Sequence, residues 1–514
     1  MMRVALFILT IFLLLYTSMF RDITVPNERT RVYLAVALVD DHSISIDGSV
    51  KRFGKTLDTA KFKRHYFTDK APGASILGAA VYATLRLFTP KDAWSAESLI
   101  AIMRLCLMIP IGIIGLIFLR KILARLGIEK TNVDIISTGW ILGTSAFHYS
   151  TAFYGHQIAS VSMMIAVYLQ LKTDASDSTR TIIRRALLSG AAAGFSGLTE
   201  YQSAVPCLML FVFVIWIHRR RVIGIAAFAL AALPFAVLLL AYHKVAFGGF
   251  LQLPYEHLVS KSIQSHHSRG IAGVSIPQAP AVFGSLLSLH RGLFVTSPMF
   301  LLVPFGLVLM FRRASRPLAI LIGAMFAYYL WFIFSAEIWH AGWAFGPRLL
   351  VPIMGLAMIP AAFALNWSMK RPLWLFAALG FIMTGILYHQ LVHVVFPEPP
   401  EDMRNPVMDL VVPAIHAAVM SPNRAAELSG IPGLWTLIFP AVATLLVLCI
   451  LIVKSLSKIT SIKQRILCLA MATVAPAILA AVVLLVGPSR PQRESDRFIH
   501  WMTKLERKEF SDRR

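Results

Sequence analysis

The sequence predicts an all-α polytopic membrane protein. It would have about thirteen transmembrane helices, a cytoplasmic N-terminus and a large first extracytoplasmic loop with juxtamembrane helices. Three observations predict this. Of 514 residues, 57% are hydrophobic and only 15% charged, whereas soluble domains carry roughly a quarter charged residues. The apolar residues gather in runs near the roughly 20 residues that cross a bilayer. The formal net charge of +23 sits mainly between those runs, which argues for basic loops and against a nucleic-acid partner. The same composition excludes a disordered chain, a secreted disulfide scaffold and a fibrous repeat.

The thirteen runs lie at about 4–20, 98–119, 132–149, 156–172, 186–199, 203–218, 222–245, 293–311, 317–335, 349–366, 372–390, 434–454 and 466–486. The first follows Met1-Met2-Arg3, and no small-residue cleavage site comes after Phe20, so it reads as a retained span. Ala74–Phe88 is apolar but interrupted by Arg86 and stopped by Pro90, which fits a juxtamembrane or re-entrant helix. The run at 186–199 is short and Gly-rich. Residues 1–486 therefore form one transmembrane domain, with outer segments at 21–97, 246–292 and 391–433 and a charged outer tail at 487–514. Cys106, Cys207, Cys449 and Cys468 all lie in apolar runs, without metal-type spacing.

Orientation follows from the short connectors. With the N-terminus inside, the inner face holds Arg3, Arg120, Lys121, Arg125, Lys130, Lys172, Arg180, Arg184, Arg185 and Arg219–Arg221. It also holds Arg312, Arg313, Arg316, Lys370, Arg371, Lys454, Lys458, Lys463 and Arg465, whereas the short outer turns hold only Arg348. That is a strong positive-inside bias. The irregular mass falls on the outer face, where chemistry is expected.

The first outer loop is the most informative segment. Val32, Ala35, Val36 and Val39 share one helical face, suited to the membrane surface. Pro72-Gly73 breaks the chain ahead of the next apolar helix, which sets Asp69 and Lys70 at headgroup level. A carboxylate there is placed to deprotonate an acceptor attacking a sugar carried on a lipid phosphate. Lys and Arg side chains are suited to hold the departing phosphate. Asp40-Asp41 is an adjacent pair and not an Asp-x-Asp, so a metal–nucleotide-sugar site is not supported.

Glu28, Tyr66-Phe67 and Lys70-Ala71-Pro72-Gly73, in that order after one span, resemble the membrane-embedded glycosyltransferases of the GT-C class. The pattern is similar to glycosyltransferase family 39, the branch of protein O-mannosyltransferases and lipid A aminoarabinose transferases. Pro26-Asn27-Glu28 stands where that transferase type has Pro-Asp-Glu, and His65-Tyr66-Phe67-Thr68-Asp69-Lys70 stands at its Arg-Tyr-Phe-Glu-Lys motif. Further strings resemble uncharacterised bacterial members of the class, including Gly155-His156, Gly197-Leu198-Thr199-Glu200-Tyr201 and Tyr255-Glu256-His257. His290-Arg291-Gly292, Trp339-His340-Ala341-Gly342-Trp343 and Gly346-Pro347-Arg348 complete the set, which covers about residues 1–355.

The resemblance implies a glycosyltransferase of the bacterial inner membrane, multi-pass, that moves a sugar from a polyprenyl-phosphate donor to an envelope glycan, lipid or protein acceptor. Asn27 replaces the family's usual catalytic Asp and cannot act as a base. The role then falls to Glu28 or Asp69, with Asp58 behind them, or the scaffold is catalytically silent. Lys70, Arg291 and Arg348 are the donor-phosphate candidates, with headgroup snorkelling the alternative for the arginines. Tyr66, Glu200, Tyr201, Glu256, His257, Trp339 and Trp343 are the substrate candidates; the Glu200-Tyr201 pair and the tryptophans also fit interfacial anchors. Arg104, six residues into the second span, calls for a partner such as Glu97 or a lipid phosphate. No resident cofactor or metal site is predicted, and dependence on a divalent metal is left open. The rival class is a transporter or lipid flippase. It is disfavoured by the odd number of runs, the absence of paired halves and the scarcity of midplane charge.

Overall fold

The computed structural model describes residues 1–20, 25–174, 176–369, 371–421, 423–431, 433–457 and 459–511. Lys370 and Lys458 of the predicted inner connectors lie outside the described residues, as do 21–24 of the predicted first outer loop and 512–514 of the tail. The chain is a polytopic helical membrane protein. Among the described residues, eight helices are long and apolar enough to cross a bilayer. They are Ala96–Arg125, Tyr201–His218, Val222–Phe247, Arg316–Ser335, Arg348–Ser368, Pro372–His393, Gly433–Leu456 and Ile462–Val486.

Helix also stands at the other predicted runs, in forms the count of eight does not include. Met2–Ser18 (α1) and Gly155–Leu171 have 17 residues each. The run at 132–149 breaks after Gly143 into Lys130–Gly143 and Ala146–Tyr149. Thr179–Thr199 is long, but Arg180, Arg184 and Arg185 crowd its start. The run at 293–311 is divided by Ser297-Pro298, since proline cannot supply the helical amide donor.

Arg348–Ser368 and Pro372–His393 form the centre of the bundle, buried along most of their length. Val222–Phe247 and Ile462–Val486 face outward with large exposed aliphatic side chains, the pattern of lipid-facing helices. The C-terminal segment forms a helix, Gln492–Ser511, whose Phe498 and Trp501 pack on Phe396 and Trp343.

The first loop departs from its predicted form. Pro26–Asp40 (α2) is buried on nearly every side and does not lie along a surface. The cause is a cap built by the rest of the loop. Asp47–Phe53 (α3), the hairpin Thr59–Phe62 (β1) and His65–Thr68 (β2), and Gly73–Arg86 (α4) enclose it. Proline at the first helical position starts α2 without losing a needed donor. Asp47 ties α3 to the hairpin: its carboxylate accepts from the Tyr66 amide at 2.7 Å and meets His65 Nδ1 at 2.6 Å.

Candidate active site

The hairpin brings two acids together. Its antiparallel register pairs Thr59 with Thr68, so Asp58, just before β1, and Asp69, just after β2, emerge at the same end. Lys70 bridges them, its Nζ 3.0 Å from Asp58 Oδ2 and 2.8 Å from Asp69 Oδ2. Asp69 is buried, and its Oδ1 has no hydrogen-bond partner among the described residues. Burial pushes its carboxyl up to about 6; Lys70 and Arg31 pull it down and Asp58 pushes it up. Lys70 is held charged by the two carboxylates against the cost of burial.

A second layer faces this triad. The start of α4 runs so close to the end of Thr179–Thr199 that a Cβ on Gly73 would lie 2.5 Å from Thr199 Oγ1. That contact sets Glu200 beside the loop. Gly155 leaves the space its carboxylate occupies, since a Cβ there would lie 2.2 Å from Glu200 Oε1. Glu200 Oε1 sits 3.3 Å from His156 Nδ1 and accepts from Arg31 Nη2 at 3.3 Å. Arg31, in turn, donates its Nε to Asn27 Oδ1 at 3.0 Å, while its buried Nη1 has no partner among the described residues. Burial raises the Glu200 carboxyl, opposed by Arg31, Lys70 and Arg348, so three cations surround it. Tyr255 closes the group, near Lys70 and Asp69, with its ring stacked on His267 at 4.2 Å and edge-on to Tyr201 at 6.2 Å.

Arg348 borders this region, its guanidinium 5.5 Å from the Tyr154 ring centre and its buried Nε without a partner among the described residues. Behind it, Glu398 accepts from the Tyr154 hydroxyl at 2.9 Å and meets His148 Nε2 at 2.9 Å. Burial raises the Glu398 carboxyl as well.

Several predicted residues lie elsewhere. Glu28 is fully buried with both oxygens engaged: Arg104 grips both, and the Phe153 amide donates to Oε1 at 2.5 Å. Arg104 completes its coordination on the Phe20 carbonyl at 2.6 Å, so its partner is Glu28; Glu97 pairs with Arg29 instead. A π-helical turn at Arg104–Met108 carries that arginine. Arg291 is not free for a phosphate. Its Nε and Nη2 donate to the carbonyls of His340 and Gly342 at 2.7 and 2.5 Å, and Nη1 meets His290 Nδ1 at 2.7 Å. It staples the Trp339–Trp343 turn, and burial lowers it to about 10. Glu256 and His257 turn toward Gln252, with the His257 ring flat against Phe247 at 5.7 Å. The Trp339 ring occupies the space over Gly284, and Trp343 joins the aromatic group of Phe396, Phe498 and Trp501. Tyr66 serves the frame through its backbone, its ring lying 5.2 Å from Lys61 Nζ.

Arg31, His156, Tyr255 and Glu398 are the members sequence reasoning missed as site residues. Tyr255 and His156 stand inside the strings that carry the resemblance; Arg31 immediately precedes the Val32–Val39 stretch that suits a membrane surface. Glu398 had one signal, an acid between prolines at 397 and 399 in an outer segment.

No protein-family profile and no curated protein matches the chain by sequence. Solved structures do match. The ArnT from Cupriavidus metallidurans bound to undecaprenyl phosphate superposes with a TM-score of 0.50 at 16% identity, over 92% of this chain and 78% of that one. The chain shares the fold of this ArnT, a GT-C-like fold. The apo form of the same ArnT matches at a TM-score of 0.48 and 15% identity, over 89% and 77% of the two chains. The Archaeoglobus fulgidus oligosaccharyltransferase AglB, in complex with an inhibitory peptide and a dolichol-phosphate, matches at 0.43 and 13% identity, over 85% of this chain and 56% of that one. Position 27 is asparagine, and the carboxylates of the region described above are those at 58, 69, 200 and 398.

Proposed function

We propose that the chain is a glycosyltransferase of the bacterial inner membrane. It would have thirteen spans and a cytoplasmic N-terminus, and transfer a sugar from a polyprenyl phosphate to an envelope acceptor at the outer face. The observation that carries this reading is the Asp58–Lys70–Asp69 triad. It combines a buried carboxylate whose second oxygen is unengaged with a cation held charged beside it. The GT-C-like fold and the polyprenyl phosphate bound by one neighbour supply the context.

In this reaction the acceptor's hydroxyl or amine attacks the anomeric carbon as the bond from that carbon to the phosphate oxygen breaks. The acceptor proton passes to Asp69, and polyprenyl phosphate leaves with the bonding electrons. A carboxyl raised to about 6 is ionised at neutral pH yet basic enough to take that proton. Lys70, Arg31 and Arg348 hold the leaving phosphate, whose charge grows in the transition state. Asp58 keeps Lys70 in place. Glu200, Tyr201 and Tyr255 contact the sugar or acceptor. Glu28 anchors α2 to the bundle through Arg104.

The test is turnover by the purified chain with synthetic polyprenyl-phosphate sugars, scored as transfer or hydrolysis. Absence of turnover with every donor overturns the enzyme. Turnover unchanged by Asp69→Asn overturns only the assignment of the base.

A further inference from the structure

A second charged site lies toward the far end of Ala96–Arg125, the helix whose Arg104 binds Glu28. Asp134, buried in Lys130–Gly143, is met by three cations from three other helices. Arg3 Nε of α1 lies 2.9 Å from its Oδ2, Arg120 Nη2 of Ala96–Arg125 lies 2.5 Å from its Oδ1, and Lys454 of Gly433–Leu456 also reaches Oδ2. Arg120 is sixteen residues along the helix from Arg104, which puts this cluster about 24 Å from the Glu28 anchor. It is separate from the triad.

One carboxylate does not balance three cations. Arg3 and Arg120 each give Asp134 a single nitrogen, and the rest of each guanidinium has no protein partner among the described residues. Both border a cavity of about 240 Å³, lined also by Asp134, Thr138 and the apolar side chains of Val4, Leu6, Phe7 and Leu116. Lys454 is itself buried, so solvent does little to screen the excess charge. Val4 and Phe7 are exposed on the outward side of α1, so an apolar surface continues from the rim of the charged cavity.

We propose that this cavity binds the phosphate of an anionic glycerophospholipid from the leaflet opposite the triad. The two half-engaged guanidiniums take the phosphodiester oxygens by charge-assisted hydrogen bonds. The acyl chains run along Val4 and Phe7. Basic pockets between membrane helices recognise lipid headgroups by this combination of cations and adjoining apolar surface. The bound anion would join α1 to Lys130–Gly143 and Gly433–Leu456.

Native mass spectrometry of the full chain in detergent tests this, with phosphatidylglycerol, phosphatidylcholine and inorganic phosphate offered separately and in competition. Preferential retention of phosphatidylglycerol is expected, weakened about tenfold in Arg120→Gln and in the Arg3→Gln/Arg120→Gln pair. Arg3→Gln alone changes a half-exposed side chain near the chain start. It is expected to fold and to weaken retention in the same direction. Equal retention of phosphatidylcholine, or retention unchanged in all three variants, overturns the site. Displacement of phosphatidylglycerol by equimolar inorganic phosphate overturns the lipid assignment and leaves a free-phosphate site. None of these readouts involves sugar transfer.

Discussion

Glu28 and Asp69 are both buried acids between α1 and Ala96–Arg125, each beside a cation, yet their environments are opposite. Glu28 has both oxygens gripped by Arg104 and a backbone amide added, so its charge is fully compensated. Asp69 shares Lys70 with a competing carboxylate and keeps one buried oxygen unengaged. The difference teaches that burial and a basic neighbour do not make a base. A carboxylate with both oxygens engaged by buried donors is poorly placed to reach a substrate proton, and one with an unengaged oxygen is available to it.

The sharpest way to break this contrast is to neutralise each acid in turn. Asp69→Asn is expected to lower kcat by about 10²–10⁴, the range for losing a positioned general base, with donor KM little changed. Single-turnover assays with a polyprenyl-phosphate sugar check it. Glu28→Gln is expected to act on stability instead, costing about 3–5 kcal/mol by leaving Arg104 buried without its counter-charge. Thermal unfolding in detergent reads that loss. The pair Glu28→Gln/Arg104→Leu should recover part of it, because removing both partners removes the stranded charge.

The pH profile sharpens the comparison further. Asp69 must be ionised to accept a proton, so kcat should fall about tenfold per pH unit below about 6. Lys70 pulls the Asp69 carboxyl down, so Lys70→Ala should move that acid limb to higher pH and also raise donor KM. Linkage gives the matching stability sign. A carboxyl raised in the folded state favours folding below its unfolded value, and that contribution disappears as pH rises through about 6.

Much of this was legible in the sequence, for physical reasons. The apolar runs and basic connectors marked a membrane bundle, and Pro72-Gly73 marked the break between Asp69-Lys70 and the next apolar helix. The partnering of those residues was not legible. Asp58 and Asp69 become neighbours only through the Thr59–Thr68 register, and a one-residue slip would separate them. Glu28 looked reactive because the Phe153 amide and Arg104 stand far away in the chain. Arg31 carried no site role because the apolar face that follows it fits a membrane surface as well as a cap. Arg291 looked like a phosphate ligand because nothing local shows that its nitrogens meet the His340–Gly342 turn and His290.

The smallest expected effect separates two adjacent residues. The segment Pro254–His257 presents Tyr255 to Lys70 and Asp69 but turns Glu256 outward, where Gln252 Nε2 meets it at 3.3 Å. Burial pushes the Tyr255 hydroxyl up to about 12, so it stays protonated, and in the proposed reaction it would act as a neutral donor beside the triad. Tyr255→Phe should therefore lower kcat/KM by about tenfold, the worth of one hydrogen bond of about 1.4 kcal/mol, with no movement of the acid limb. Glu256→Gln should leave kcat/KM within about twofold, since an exposed carboxylate on a neutral amide adds little. Equal losses from the two substitutions would mean that the segment acts as a whole, through loop position. The line between engaged and unengaged groups would then have to be drawn around the loop and not through it.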